Sequence, residues 1–361
     1  MSDTSAELTD IYIRRYEELL DLDERKKGFF YHNSMKCWIF YRYDDCLHFL
    51  NGVNVTKKRM NVPLDLFQIE DRHIVQHFLH IFNESVIFND KKHSGVASVI
   101  SSNYRKMDVC NLINSVMGCI GENSIISEKD IGRANNILAC FLTGIPSDDE
   151  LTRHAIKAGM LFDGKISDAN HFVSVVKSFI FLYDKFTALN EYATEVNDTS
   201  VDLTVAFIAA HQTSMHLIFS VLYDISNMQD GESVTKQMVL ESARLHSPVI
   251  SVGRIFLMHE QYKGQDFNAG EKALFYTGFA NYDPETFVNP LTFIPGRKAR
   301  PLSFGTGLNT CIGMNVSIDF VTSFVNQLTK KYRISKLVIN EVSEGSAAIG
   351  VDKFNVNLVK R

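Results

Sequence analysis

The strongest constraint on this chain is a short stretch, Phe304-Gly305-Thr306-Gly307-Leu308-Asn309-Thr310-Cys311-Ile312-Gly313. Two glycines precede a cysteine, a third follows it, and a helical pattern begins beyond. Glycine takes turn conformations closed to other residues and lets backbone approach a large flat ligand. Gly305 and Gly307 offer that freedom, and Gly313 leaves room beneath. A helix N-terminus presents free N–H groups and the positive end of a dipole, so a thiolate at Cys311 is favoured there. Such a thiolate can ligate iron and push electron density toward it.

Composition narrows the setting. The chain has 361 residues, 45% hydrophobic and 22% charged, enough to bury a sizeable core. Its net charge of -5, with no long basic tract, argues against nucleic acid as a partner. Of the cysteines Cys37, Cys46, Cys110, Cys119, Cys140 and Cys311, none forms a CxxC pair, so neither a zinc knuckle nor a disulfide framework is expected. A reducing cytoplasm fits that usage. Met1 to Asp10 is polar, and no run approaches the roughly 20 apolar residues of a membrane span, so no anchor is expected. The 26 phenylalanines fit either an aromatic-rich interior or simple replacement of leucine.

No repeat, low-complexity tract or linker divides the chain, which reads as one domain over residues 1–361. Ala6 to Lys27 has a helical pattern, followed by two aromatic-rich strands, Gly28–Asn33 and Lys36–Arg42. Tyr43-Asp44-Asp45 opens a helix with Asp44 or Asp45 as its cap. The middle is helical, broken at Gly144–Asp149. Val201–Ile225 is apolar nearly all round, the pattern of a buried helix. Between it and the helix after Cys311 lies a loop-rich region with few strands. The fold class is therefore mainly α with small β-sheets (α+β).

Together with the cysteine loop, four further segments carry a resemblance. Glu241-Ser242-Ala243-Arg244 is an E-x-x-R helix whose ends share a face. Ala280–Phe287, Trp38–Asp45 and Asn89–His93 occur in matching order. On these the chain resembles the cytochrome P-450 family, of the soluble bacterial kind, over most of its length. The resemblance implies a single helix-rich domain enclosing haem b, with Cys311 as the iron ligand and Phe304, Gly305, Asn309, Gly313 and Ala210 against the cofactor. It implies Glu241 and Arg244 as a structural pair, and His93 and Arg254 as partners of the anionic propionates. Three positions depart from the family: Ala97 and Thr292 replace arginines, and Asn309 replaces a histidine or arginine. Arg297 is the nearest candidate to stand in at Thr292.

Ala209-Ala210-His211-Gln212-Thr213 matches the family's oxygen-binding helix. A small Ala210 leaves room for dioxygen, and the Thr213 hydroxyl can bond the carbonyl four residues back or donate toward oxygen. Gln212 stands where the family has an acid, and glutamine cannot ionise. Either His211 and water deliver protons, or the reaction needs fewer of them. Ala206, Ala209, Val249 and Val252, with the turn at Ala348–Gly350, are expected to line a mainly hydrophobic substrate pocket. The segment Asp184–Ser200 is short for the family.

No redox domain is fused, so a monooxygenase needs a separate acidic donor, a ferredoxin or flavodoxin. Arg297, Lys298 and Arg300, joined by Arg105 and Lys106, are expected to dock it. The leading expectation is oxygen insertion into a small, largely apolar molecule in specialised metabolism. The alternatives are a peroxide-using or otherwise diverted haem-thiolate enzyme, and a haem-binding protein without turnover.

Overall fold

The computed structural model describes residues 8–23, 26–89, 94–120, 125–163, 165–189, 198–226 and 232–361. In chain order the elements are helix α1 (Leu8–Leu22), strands β1 (Phe29–His32) and β2 (Cys37–Phe40), α2 (Tyr43–Asn51) and β3 (Val55–Thr56). Then come α3 (Ile69–Phe82), α4 (Ser94–Lys106), α5 (Val109–Ile120), β4 (Ile125–Ser127), α6 (Glu128–Thr143), α7 (Asp149–Asp163) and α8 (Ala169–Leu189). The long α9 (Asp198–Ser226) is followed by α10 (Lys236–Leu245). Four short strands come next: β5 (Val252–Phe256), β6 (Glu260–Tyr262), β7 (Gln265–Phe267) and β8 (Lys272–Phe275). The chain ends with α11 (Thr277–Ala280), α12 (Met314–Lys331), β9 (Tyr332–Glu344) and β10 (Ile349–Lys360). A helix-dominated chain with small sheets is what the sequence implies.

The elements form two compact units. The first, residues 1–56, 120–130 and 216–361, holds every described strand. Its five-stranded sheet runs β1-β2-β8-β5-β3. Phe29, Phe40, Phe49, Phe256, Phe267 and Phe275 pack around this sheet with ring centroids between 4.8 and 6.4 Å for the contacting pairs. A second sheet runs β4-β10-β9. The other unit, residues 57–119 and 131–215, has no strand among its described residues. In its core Phe78 stacks on Phe82, and both meet the Phe179 ring. The abundant phenylalanine therefore builds aromatic interiors in both units.

Several boundaries and details differ from the sequence reading. α2 is not capped by Asp44 or Asp45: its N-cap residue is Arg42, which makes no side-chain cap bond. Instead Oδ2 of the distant Asp283 accepts the Tyr43 N–H at 3.0 Å, while Asp45 is buried and accepts from Tyr262 and Lys263. The region expected to hold few strands contains four, each of three to five residues, too short to show alternation. The first residues of Asp184–Ser200 are the last turns of α8, its last are the start of α9, and 190–197 lie outside the described residues.

α9 is buried, as its apolar sequence implies. Its Thr199–Ser226 stretch is long and apolar enough to cross a membrane, although no continuous run of about 20 apolar residues exists in the sequence. Most of an 18-residue apolar window within it (67%) is buried inside the protein, which is how the central helix of a folded core behaves.

Candidate haem-thiolate site

The cysteine loop is built by hydrogen bonds before any ligand is considered. The Cys311 N–H donates to the Phe304 carbonyl at 2.7 Å, closing the loop on itself. Gly305 sits at φ +69 and ψ -172, and a Cβ there would stand 2.5 Å from the Asn309 carbonyl oxygen. Gly307 sits at φ +58, where a Cβ would meet Oδ1 of Asn51 at 2.7 Å. Both glycines are required by backbone conformation and by space. Gly313 is different: a Cβ would touch only Cys311 Sγ and Ser317 Oγ, each at 3.9 Å. The polypeptide alone does not demand glycine there, so the sequence argument about room applies to whatever lies against the sulfur.

Cys311 has an open surface, yet the protein around it desolvates the thiol. Desolvation raises its pKa, and hydrogen bonds from the Gly313 and Met314 N–H groups only partly offset that. Cys311 lies three residues before α12 begins at Met314; the N–H groups there favour the thiolate as expected, while desolvation opposes it more strongly. A coordinating metal ion deprotonates a thiol outright. Among the described residues no group of three or more His, Cys, Asp or Glu side chains converges as a metal site. One open sulfur with two peptide N–H groups on it, in a loop whose glycines keep it clear, fits a residue that would supply a single thiolate ligand to haem iron.

The support beneath the loop is an ion-pair network. Arg244 is 1% exposed and pairs bidentately with Glu241, Nε to Oε2 at 3.0 Å and Nη2 to Oε1 at 2.8 Å. It also donates to the carbonyls of Asn281, Pro290 and Thr292. Arg297 joins at the same carboxylate, Nε to Glu241 Oε1 at 2.9 Å, and donates to Val288, Asn289 and Thr292 carbonyls. Position 292 thus contributes its carbonyl oxygen, and Arg297 supplies the second cation. Asn281 ties this network to the loop: its Oδ1 accepts the Leu302 N–H at 2.8 Å and its amide donates to Ser303. Arg42 reaches Asp283 at 2.8 Å, so the Trp38–Asp45 and Ala280–Phe287 segments meet.

Other expected cofactor and pocket residues are placed as follows. His93 lies outside the described residues. Arg254 is half-buried on β5, with Nη1 donating to the Gly253 carbonyl at 2.7 Å. Asn309 is half-buried, and its N–H donates to the Thr306 carbonyl. Val249 and Val252 are half-buried, and Val249 bridges to Ala348, so the turn expected beside them is their neighbour.

On α9, Ala206, Ala209, Ala210 and Thr213 are all half-buried, whereas Phe207, Ile208, His211 and Ser214 are buried. The spacing i, i+3, i+4, i+7 makes the first four one open stripe. Thr213 Oγ1 donates to the Ala209 carbonyl at 2.7 Å. His211 does not join the stripe. At 100° per residue it lies roughly 150° around the helix from the stripe's centre. Its Nδ1 is 2.7 Å from the Phe207 carbonyl and its Nε2 3.3 Å from Asn136 Oδ1. Burial pushes its pKa down, so it stays neutral. His211 as proton carrier to Thr213 is not supported by this placement. The Gln212 amide lies over Gly159 of α7, where a Cβ would be 3.1 Å from its Oε1.

These features are the ones a haem-thiolate site would use. A cytochrome P-450 family model matches residues 194–342, which span the α9 stripe, the Glu241 pair and the cysteine loop. Cytochrome P-450 119 of Sulfurisphaera tokodaii is 27% identical over 156 residues, covering 42% of this chain and 42% of that protein. The polyketide biosynthesis cytochrome P-450 PksS of Bacillus subtilis (strain 168) is 22% identical over 323 residues, 76% of each chain. Among solved structures, cytochrome P-450 BioI in complex with hexadec-9Z-enoic acid-ligated acyl carrier protein aligns with a TM-score of 0.79. It is 15% identical and covers 98% of this chain and 100% of that one. The chain is thus similar to cytochromes P-450 in sequence over residues 194–342 and shares their fold, and it spans about two fifths of the length of the first of these relatives.

Proposed function

We propose that this chain inserts one oxygen atom from dioxygen into a largely apolar organic substrate, with electrons from a separate acidic ferredoxin or flavodoxin. The observation that carries the reading is the open Ala206-Ala209-Ala210-Thr213 stripe, in a chain whose cysteine loop presents one sulfur. Haem, when bound, supplies the iron at which dioxygen is activated. Cys311 would hold that iron through its sulfur. The three alanines leave apolar surface that a hydrophobic substrate can cover. Thr213 already donates its proton to Ala209, so its oxygen is free to accept from water. To donate to any other acceptor on the stripe, the Thr213 hydroxyl would have to release that carbonyl.

In this reading residues 1–361 act as one protein that works in the cytoplasm. The similarity to PksS, a polyketide biosynthesis cytochrome P-450, and to BioI, seen in complex with an acyl-ligated carrier protein, favours specialised metabolism, with an acyl substrate that a carrier can present.

The Gln212 placement favours a second reading. Neither Gln212 nor His211 offers an ionisable group to the stripe, so a peroxide oxidant, which brings its own protons, needs less from the protein. Turnover assays of the haem-loaded chain separate the readings. Product coupled to NADPH consumption with a donor system supports monooxygenation, and product only with added peroxide supports the second reading. No turnover with either leaves a haem-binding protein.

A further inference from the structure

Helix α3 carries His73, His77 and His80 on its exposed side, while Val75, Phe78, Ile81 and Phe82 are buried. Phe78 and Phe82 lock the inner side against Phe179 of α8, so the helix is held firmly. His73 and His77 stand at i, i+4, and His77 and His80 at i, i+3. Such neighbours have Cβ atoms about 5–6 Å apart on one face. That lets two imidazole nitrogens close on one ion at about 2.0–2.1 Å each. Two histidines at i, i+4 are the metal-holding pair of known zinc helices.

The three rings are not otherwise employed. Among the described residues none of them has a hydrogen-bond, ion-pair or ring partner. Of the charged neighbours, Asp71 pairs with Lys177 of α8 and Arg72 donates to the Phe67 carbonyl, while Glu70, three residues before His73, is exposed. No third His, Cys, Asp or Glu among the described residues completes a cage. The site is therefore a two-imidazole clip whose remaining positions belong to water or to a donor on another molecule.

We propose that α3 binds one divalent late transition-metal ion through His77 and either His73 or His80, independently of the haem-thiolate reading. Imidazole donors suit Zn2+, Ni2+ and Cu2+, and copper heads the affinity order. Bound metal ties successive turns of the helix together and so protects its amides from exchange.

The test uses the untagged, haem-loaded full chain, titrated with Zn2+ and separately with Cu2+ by calorimetry. One ion is expected per chain, with Cu2+ tighter than Zn2+. His77→Gln removes the shared ligand and weakens binding about tenfold or more. His73→Gln and His80→Gln each weaken it less, because the other partner remains. His259→Gln, which removes the exposed imidazole beside Asp266, leaves it unchanged. Hydrogen exchange in the α3 amides slows with metal in the wild type and not in His77→Gln. Undiminished binding in His77→Gln, loss on His259→Gln instead, or no heat with either ion overturns the proposal. The haem spectrum, unchanged in every variant, shows that the cysteine loop is not what was altered.

Discussion

Nε of Arg297 lies 2.9 Å from Oε1 of Glu241, an oxygen that also accepts from Arg244 at 2.8 Å and from the Ile294 N–H at 2.9 Å. One carboxylate oxygen thus gathers two guanidinium groups and a peptide from the strand-free segment before the cysteine loop. Arg297→Ala is expected to cost about 2 kcal/mol, because hydrogen bonds to a buried charge are lost while Arg244 still neutralises it. Arg297→Lys recovers part of that, since a point charge cannot serve a carboxylate and three carbonyls at once. Urea midpoints of the two variants check this, and a loss under about 0.5 kcal/mol in Arg297→Ala contradicts it.

Gly305→Ala places a methyl group where the Asn309 carbonyl oxygen is 2.5 Å away, at a φ of +69. The backbone strain alone is worth about 2 kcal/mol. The loop must shift to relieve it, so haem retention on gel filtration should fall together with stability. Gly313→Ala is the informative partner. The polypeptide accommodates that methyl group, so the apoprotein keeps its stability while haem binding weakens.

How much of this was legible follows from the lengths of the signals. The cysteine loop and the Glu241–Arg244 spacing are local, and the stripe on α9 is plain helical periodicity. The capping of α2 by Asp283 was not legible, because the two residues are 240 positions apart. The direction of His211 needed Asn136 and the Phe207 carbonyl to be seen. The β9–β10 hairpin was missed although a signal exists. Ile349 and Val351 are buried at odd positions, then Phe354, Val356 and Leu358 at even ones. The change of phase is a β-bulge, with register shifts either side of Lys353, and it breaks the alternation that marks a strand.

Acid should weaken the fold through His216. Burial, with His246 beside it, pushes its pKa from 6.5 down to about 3, and its Nε2 stands 3.1 Å from the Tyr12 hydroxyl. The folded state therefore binds fewer protons than the unfolded state between those values. This stability is fully present above pH 6.5 and is lost as pH falls through the window toward 3. The loss is on the order of a few kcal/mol. Urea midpoints at pH 7 and pH 5 measure it, and His216→Gln should flatten the difference. An equal slope in the variant contradicts the assignment.

Electron transfer should depend on Lys298 and Arg300 and not on Arg297. The first two are exposed, whereas the Arg297 side chain is 11% exposed and committed to Glu241. Charge reversal at Lys298 and Arg300 is expected to slow reduction by an acidic donor and to reduce its salt dependence, with the haem spectrum unchanged. Reduction rates that do not move remove this docking face.

The most direct test of the account is the absorption spectrum of the reduced carbon monoxide complex of the purified, haem-reconstituted protein. The account predicts the strongly red-shifted Soret band of thiolate ligation in the wild type and its loss in Cys311→Ala. A protein that stays colourless after reconstitution, or a Soret band that is the same with and without the Cys311 sulfur, contradicts it.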